Sequence, residues 1–162
     1  MTETQSLLGK LADVVSLGRT DRVTARLKLE AFFSEAERGP FAPCTIAHYL
    51  ADLQDSTEDE LEWDLRALAA ADVVTDEETV EAGFKAEALM PSLHVNLADD
   101  YRRLARFDDA ERHLTAARLT AGVLGDDAYG DLIRDVLTRV GEAIAARDTS
   151  RMETNPSTQA QG

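Results

Sequence analysis

The sequence predicts an all-α protein. Apolar residues recur every three or four positions in nearly every segment, and no segment shows the strict alternation of a β-strand. Gly, Pro and short polar residues lie where this periodicity breaks, as they do at helix ends. With 162 residues, of which 44% are hydrophobic, the chain is long enough for a domain with its own core. We therefore expect a single helical domain over residues 1–147.

The first four helices are predicted at residues 6–17, 20–37, 43–54 and 57–72. Gly18 follows the first periodic segment and is expected to end it. Gly39 and Pro40 separate the second helix from the third, because proline cannot continue a helix. Ser56, with Asp59 and Glu60 shortly after it, is typical of a capping box and is expected to begin the fourth helix.

The last four helices are predicted at residues 76–89, 91–106, 108–123 and 127–147. Pro91 suits the first turn of its helix. Gly125 followed by two aspartates indicates the end of one helix and the start of the next. The last helix carries a narrow apolar stripe, which is typical of a helix that caps a stack. Residues 148–162 are polar and are predicted to form a disordered tail.

Residues 91–117 resemble one tetratricopeptide repeat, the helix-turn-helix unit of binding scaffolds. His94 occupies the position of the family's Trp, and the other matching residues are Leu97, Ala98, Tyr101, Ala110, Leu114 and Ala117. The small residues let helix axes approach while the large ones fill the space between them. The resemblance implies that hairpins at 6–37, 43–72 and 91–123 stack into an α–α superhelix solenoid with a C-terminal capping helix.

The same resemblance implies a concave groove that binds another protein or a peptide segment. Polar residues on the first helix of each hairpin would line it, and those predicted to bind are His48, Asp52, Asn96, Asp99, Arg102 and Arg103. Asn96 would bind peptide backbone, the two arginines an acidic group, and the two aspartates basic side chains. In the alternative interpretation this stripe is a solvated helix face, on which Arg103 pairs with Asp99 one turn away.

The chain is strongly acidic, with a formal net charge of −14 at pH 7. Nucleic acids and anionic membrane surfaces require an excess of basic residues, so neither is an expected partner. Residues 45–81 contain 12 acidic residues and one basic residue. This acidic block is interpreted as a solvated face or, alternatively, as a surface that steers a basic partner or self-associates with the arginines of residues 102–118.

No catalytic motif, metal site or cofactor site is predicted. A metal site of His48 and Asp52 with His94 or His113 is an alternative, but His94 is expected to be a packed histidine with a hydrogen-bond partner. Cys44 follows a proline at a helix start, where the helix dipole favours a thiolate, although a lone cysteine is more often inert. The leading hypothesis is a non-catalytic binding scaffold, and the alternatives are a small enzyme, a metal-binding accessory protein or a self-associating helical protein.

A cytoplasmic location is also expected. The first ten residues lack the basic start and long apolar run of a signal peptide. No apolar stretch approaches the roughly 20 residues that a membrane span needs.

Overall fold

A computed structural model describes residues 3–35, 41–72, 74 and 86–152, and these ranges contain helices and no strand. The α-helices are α1 Glu3–Leu17, α2 Arg22–Glu35, α3 Phe41–Asp52, α4 Thr57–Ala71, α5 Leu89–Arg103, α6 Phe107–Thr120 and α7 Ala128–Ala145. Short 3-10 helices precede α5 at Ala86–Ala88 and follow α6 at Ala121–Val123. The all-α prediction is confirmed, with helix ends within a few residues of those expected. Most of the predicted helix at 76–89 lies outside the described residues.

Two helices begin at the side-chain caps that their sequences predict. The hydroxyl of Ser56 accepts a hydrogen bond from the backbone N–H of Asp59 at 3.1 Å and begins α4. A carboxylate oxygen of Asp127 accepts from the N–H of Gly130 at 2.7 Å and begins α7. Each cap satisfies a backbone donor that has no partner within its helix.

Two helices end in left-handed backbone at residues other than glycine. Ala105 has φ 59° after α5, and Arg147 has φ 52° after α7. The N–H of Asp148 then bonds to the carbonyl of Ala143 at 2.9 Å, which closes the last turn of α7. The chain therefore reverses at Arg147.

Helix α5 lies at the centre of the second half of the molecule. It packs against α4, α6 and α7, while α1, α2, α3 and α4 each pack on the next helix in the chain. The six residues that carry the repeat resemblance are all buried in the core shared by α5, α6 and α7: Leu97, Ala98, Tyr101, Ala110, Leu114 and Ala117. Their packing roles are confirmed, and a tetratricopeptide-like solenoid stays a prediction.

Two further apolar clusters hold the remaining helices together. Leu11, Ala25, Leu29 and Ile46 are buried in one of them, which joins α1, α2 and α3. The other joins α3 and α4 to Leu93 of α5. Trp63 of α4 packs edge-on against Phe33 of α2, with ring centroids 5.2 Å apart. No helix within the described ranges combines the length and the hydrophobicity that crossing a membrane demands.

Candidate functional site: a buried ion cluster between α4 and α5

Six charged residues are buried around the contact of α4 with α5. We call them the ion cluster; Glu60 and Asp64 come from α4, and Asp99, Asp100, Arg102 and Arg103 come from α5. The two acids of α4 are four residues apart, so both project from the same face of that helix. Buried charges are stable only when they are paired or bind an ion, so each member's partner decides what the site can do.

Arg103 holds the centre of the ion cluster. Its Nη2 donates to Glu60 at 2.9 Å and to Asp100 at 2.8 Å, and its Nε donates to Asp99 at 3.0 Å. Its Nη1 donates to the hydroxyl of Thr57 at 3.1 Å. Burial by itself would lower the pKa of Arg103, but the bond and charge of Glu60 and the charges of the two aspartates raise that pKa overall. Arg103 therefore remains a cation and neutralises part of the acidic charge.

Arg102 makes a different set of contacts, on the side of α5 that faces the end of the chain. Its Nε and Nη2 donate to Asp99 at 3.1 and 2.6 Å. Its Nη1 donates to two backbone carbonyls, those of Asp148 at 2.6 Å and Ser150 at 2.9 Å. Met152 packs against the core of α5, α6 and α7. Residues 148–152 thus lie against α5, where the sequence predicted the start of a disordered tail, and residues 153–162 lie outside the described part of the chain.

Asp64 and Asp100 form the acidic end of the ion cluster. In the part of the chain that the structure describes, no group other than the carboxyl groups of this pair donates to either carboxylate oxygen of Asp64 or to Oδ2 of Asp100. Burial, the largest cause, raises the pKa of both carboxyl groups well above the usual range. The charge of Glu60 acts in the same direction on both, as does the charge of Asp64 on Asp100, whereas a hydrogen bond between the two carboxyl groups lowers the pKa of Asp64. The two carboxyl groups at this end of the cluster are therefore adjacent and either share a proton or require a cation.

The predicted binding stripe on α5 is buried. Asn96, Asp99 and Arg102 are buried, and the side chain of Arg103 is 3% exposed. The stripe is therefore neither an open groove nor a solvated helix face, because α4 and the segment 148–152 cover it. The predicted pairing of Arg103 with Asp99 is confirmed at 3.0 Å. Peptide binding by these residues stays a prediction.

The two predicted binding residues on α3 are not members of the ion cluster, although the charge of Asp52 acts on Asp64. His48 is half-buried, and its Nδ1 lies 3.3 Å from the side-chain nitrogen of Asn96 on α5. Asp52 lines a cavity of about 350 Å³ with Arg22 and Tyr49. Cys44 is buried, and burial raises the pKa of its thiol to about 12. This direction is opposite to the one that a helix-start position favours, so Cys44 is a neutral core residue.

The other two histidines, His94 and His113, are in contact with each other. The Nδ1 atoms of His94 and His113 lie 3.1 Å apart, and His113 also stacks on Tyr101 with ring centroids 5.4 Å apart. The packed, hydrogen-bonded role predicted for His94 is confirmed. Burial is the main cause that lowers the pKa of both, that of His113 to about 4.

The metal site considered from the sequence does not assemble in the described residues. There the ligand atoms that converge belong to Glu60, Asp64 and Asp100, without a histidine. Sequence reasoning missed these three residues as a group, because it assigned Glu60 to a capping box and gave Asp64 and Asp100 no role in a binding site. One signal was present: Glu60 and Asp64 share helical spacing with Leu61 and Leu68, which points them toward the core.

Part of the acidic block also differs from a solvated face. Glu60 and Asp64 point inward, whereas Asp55 and Glu62 pair on the surface with Arg26 and Arg66. Of the arginines in residues 102–118, the first two are buried in the ion cluster and do not form part of the exposed surface. Arg106 and Arg112 both pair with Asp109. Self-association between the acidic block and the arginines of residues 102–118 stays a prediction, and fewer of these residues are exposed than the sequence indicated.

No protein-family model, curated protein or solved structure matches this chain. The resemblance of residues 91–117 to a tetratricopeptide repeat therefore remains a prediction. Function resides in the chemistry of a site and not in the fold that carries it.

Proposed function

We propose that this protein is a non-catalytic interaction module that holds a short segment of another protein against α5. In this proposal its own residues 148–152 occupy the place of that segment. The observation that carries the proposal is the contact of Arg102 with two backbone carbonyls. A cytoplasmic location remains a prediction of the sequence.

Arg102 has the properties of a preorganised backbone-binding group. It is 0% exposed, and Asp99 holds its guanidinium through two hydrogen bonds. Because its orientation is already fixed, little side-chain entropy is lost when a ligand binds. The carbonyls that it contacts belong to residues two apart, and a turn brings both of them to the same nitrogen: the side chain of Asp148 accepts from the N–H of Ser150 at 2.8 Å. Backbone contacts supply affinity in this way, while neighbouring side chains supply specificity.

The segment in place indicates which side chains the site favours. A guanidinium nitrogen of Arg151 lies 4.0 Å from Oε2 of Glu60, and Met152 packs on the core of α5, α6 and α7. A basic residue followed by a large apolar residue therefore complements the site. The net charge of −14 also favours a basic partner during encounter.

These contacts revise the roles predicted for the two arginines. Arg102 binds backbone carbonyls, where the sequence predicted an acidic group. Arg103 is occupied by three buried carboxylates and positions Asp99, which in turn holds Arg102. Removal of Arg103 would therefore report on folding, and Arg102 is the residue to test for binding.

The test uses the full chain with its own segment loosened by Arg151→Glu and Met152→Asp. A fluorescent peptide with the sequence of residues 148–155 should bind this released chain with one-to-one stoichiometry, measured by anisotropy. It should bind the unmodified chain far more weakly, because residues 148–152 compete. Adding Arg102→Lys should abolish binding, since a lysine cannot bridge both carbonyls and Asp99. The exposed Arg112→Lys is the matched control and should leave binding unchanged.

Capture from a native lysate is the second step, with the released chain compared with the released Arg102→Lys chain by mass spectrometry. A protein retained by the first and lost by the second, while both give the same helical circular dichroism, names the partner. The proposal fails if the peptide does not bind the folded released chain. In that case residues 148–152 are a structural part of the domain.

A further inference from the structure

We propose that Glu60, Asp64 and Asp100 bind one divalent cation of the oxygen-preferring class that includes Mg²⁺, Mn²⁺ and Ca²⁺. One carboxylate oxygen from each residue lies within 4.8 Å of those of the other two. Ca²⁺ binds oxygens at about 2.3–2.6 Å, so ligands on opposite sides of it are roughly 5 Å apart, and Mg²⁺ ligands are closer. The three carboxylates are thus close enough to share one ion. This site does not depend on the peptide binding proposed above.

Asp64 provides the second observation. Its side chain is 1% exposed, and within the described residues the carboxyl group of Asp100 is the hydrogen-bond partner of its oxygens, with no N–H or hydroxyl donor beside it. Two adjacent buried carboxylates without a further donor are strongly unfavourable, so they require a cation or a proton. Oδ2 of Asp100 likewise has no N–H or hydroxyl donor, because Arg103 donates to Oδ1 of that residue. Three carboxylate oxygens at this end of the ion cluster therefore face neither water nor an N–H donor.

The charge balance also favours a divalent ion. The ion cluster contains four carboxylates and two guanidinium groups, which leaves two negative charges in excess. When all four carboxylates are ionised, one divalent cation neutralises this excess.

The surrounding contacts would hold the ligands in place. Arg103 binds one oxygen each of Glu60 and Asp100 at 2.9 and 2.8 Å. Such outer contacts orient metal ligands and fix their geometry. Both elements that supply the ligands are helices, and sites built on helices are more rigid than sites on loops.

The competing explanation is a shared proton. Asp64 and Asp100 would then form an acid–carboxylate pair, with one group neutral at pH 7 because the low-dielectric interior disfavours two adjacent charges. A proton and a divalent cation can be told apart directly. The pair would be indifferent to added metal, whereas a cation site would titrate with it.

The experiment uses the full chain without a histidine tag, stripped with EDTA and transferred to metal-free buffer. Titration with MnCl₂, with free Mn²⁺ followed by electron paramagnetic resonance, should show one bound ion per chain. MgCl₂ or CaCl₂ should compete for it. Each of these ions should raise the Tm measured by circular dichroism, because a ligand that binds only the folded state stabilises it.

Asp64→Asn is the test variant, because it keeps the shape of the side chain and removes the charge. Mn²⁺ affinity should fall at least about tenfold, and the metal-dependent rise in Tm should disappear. Glu62→Gln is the matched control on the same helix; Glu62 is 63% exposed and pairs with Arg66, so this variant should bind Mn²⁺ like the unmodified chain.

Two results would overturn the proposal. If the unmodified chain shows no Mn²⁺ binding at millimolar concentration and no metal-dependent Tm, the carboxylates share a proton. If Asp64→Asn and the unmodified chain respond equally to metal, the ion binds elsewhere. If Asp64→Asn does not fold, Asp100→Asn replaces it as the test variant in the same Mn²⁺ titration. The number of Mn²⁺ ions bound per unmodified chain is measured independently of both variants.

Discussion

The two sides of α5 show how one helix is held by opposite kinds of chemistry. Toward α6 and α7 its contacts are apolar, with Leu97 and Ala98 completely buried. Toward α4 it presents Asp100 and Arg103 to Glu60. Apolar contacts stabilise in proportion to buried area and tolerate small shifts. A buried ionic contact stabilises only while every partner is present, because each ion left alone keeps its desolvation cost.

The largest effect should follow from removing the central cation on the α4 side. Arg103→Met leaves three buried carboxylates without their guanidinium and should lower the free energy of unfolding by about 3–5 kcal/mol. Urea denaturation followed by circular dichroism measures it. Arg66→Met removes an exposed pair with Glu62 and should cost about 1 kcal/mol or less. Equal decreases in the free energy of unfolding for the two variants would mean that the ion cluster is hydrated. The contact of α5 with α4 would then not depend on each buried charge having its partner.

The apolar side is tested by Leu97→Ala. Leu97 is 0% exposed, so the substitution should leave a cavity and cost about 2–5 kcal/mol in the same urea experiment. Leu119→Ala is the matched control, because Leu119 is 82% exposed and its loss should change the free energy of unfolding by no more than about 0.5 kcal/mol. A small decrease in the free energy of unfolding for Leu97→Ala would show that α6 and α7 move to fill the cavity. Such a rearrangement is not expected on the side of α5 that faces α4, where each charge needs its partner.

A smaller effect should come from the helix caps, one on each side of α5. Ser56→Ala at the start of α4 and Asp127→Ala at the start of α7 should each cost about 1 kcal/mol. Thermal unfolding of the two variants compares them. Similar losses would show that the caps act locally. A clearly larger loss for Ser56→Ala would show that the cap also fixes the position of Glu60 against Arg103.

The smallest effect concerns His113, a polar residue on the otherwise apolar side. Burial, followed by the charges of His94 and Arg112, lowers its pKa to about 4 from an ordinary value of 6.5. Between pH 6.5 and 4 the unfolded chain takes up a proton that the folded chain does not, so this group destabilises the fold as the pH falls through that window. Above pH 6.5 both states are neutral and it has no effect.

NMR titration of the imidazole Hε1 signals should give a pKa near 4 for His113. His113→Phe keeps a ring against Tyr101 and removes the titration. Its stability relative to the unmodified chain should therefore be constant above pH 6.5 and improve below it. An ordinary pKa in the folded chain would show that the His94–His113 contact is open to water.

Much of the α5–α6 hairpin could be predicted because its information is local. Helical periodicity locates Leu97, Ala98 and Tyr101 on one face, and a partner helix follows within a few residues. The pairing of Asp99 with Arg103 could be predicted for the same reason, since residues four apart are neighbours on any helix. The acids of α4 and the carbonyls of residues 148 and 150 could not be predicted, since they lie about 40 or more residues away along the chain.

The sequence by itself determined the helices, two of their caps and the residues that fill the core around α5, because these depend on periodicity and on short-range hydrogen bonds. Tertiary structure decided the environment of the polar stripe on α5. A charged helix face has the same pattern whether water, a groove or another charged helix covers it. In this chain α4 covers it with Glu60 and Asp64, and residues 148–152 cover what remains. Only that packing converts a surface pattern into a buried cluster of four carboxyl groups and two guanidinium groups.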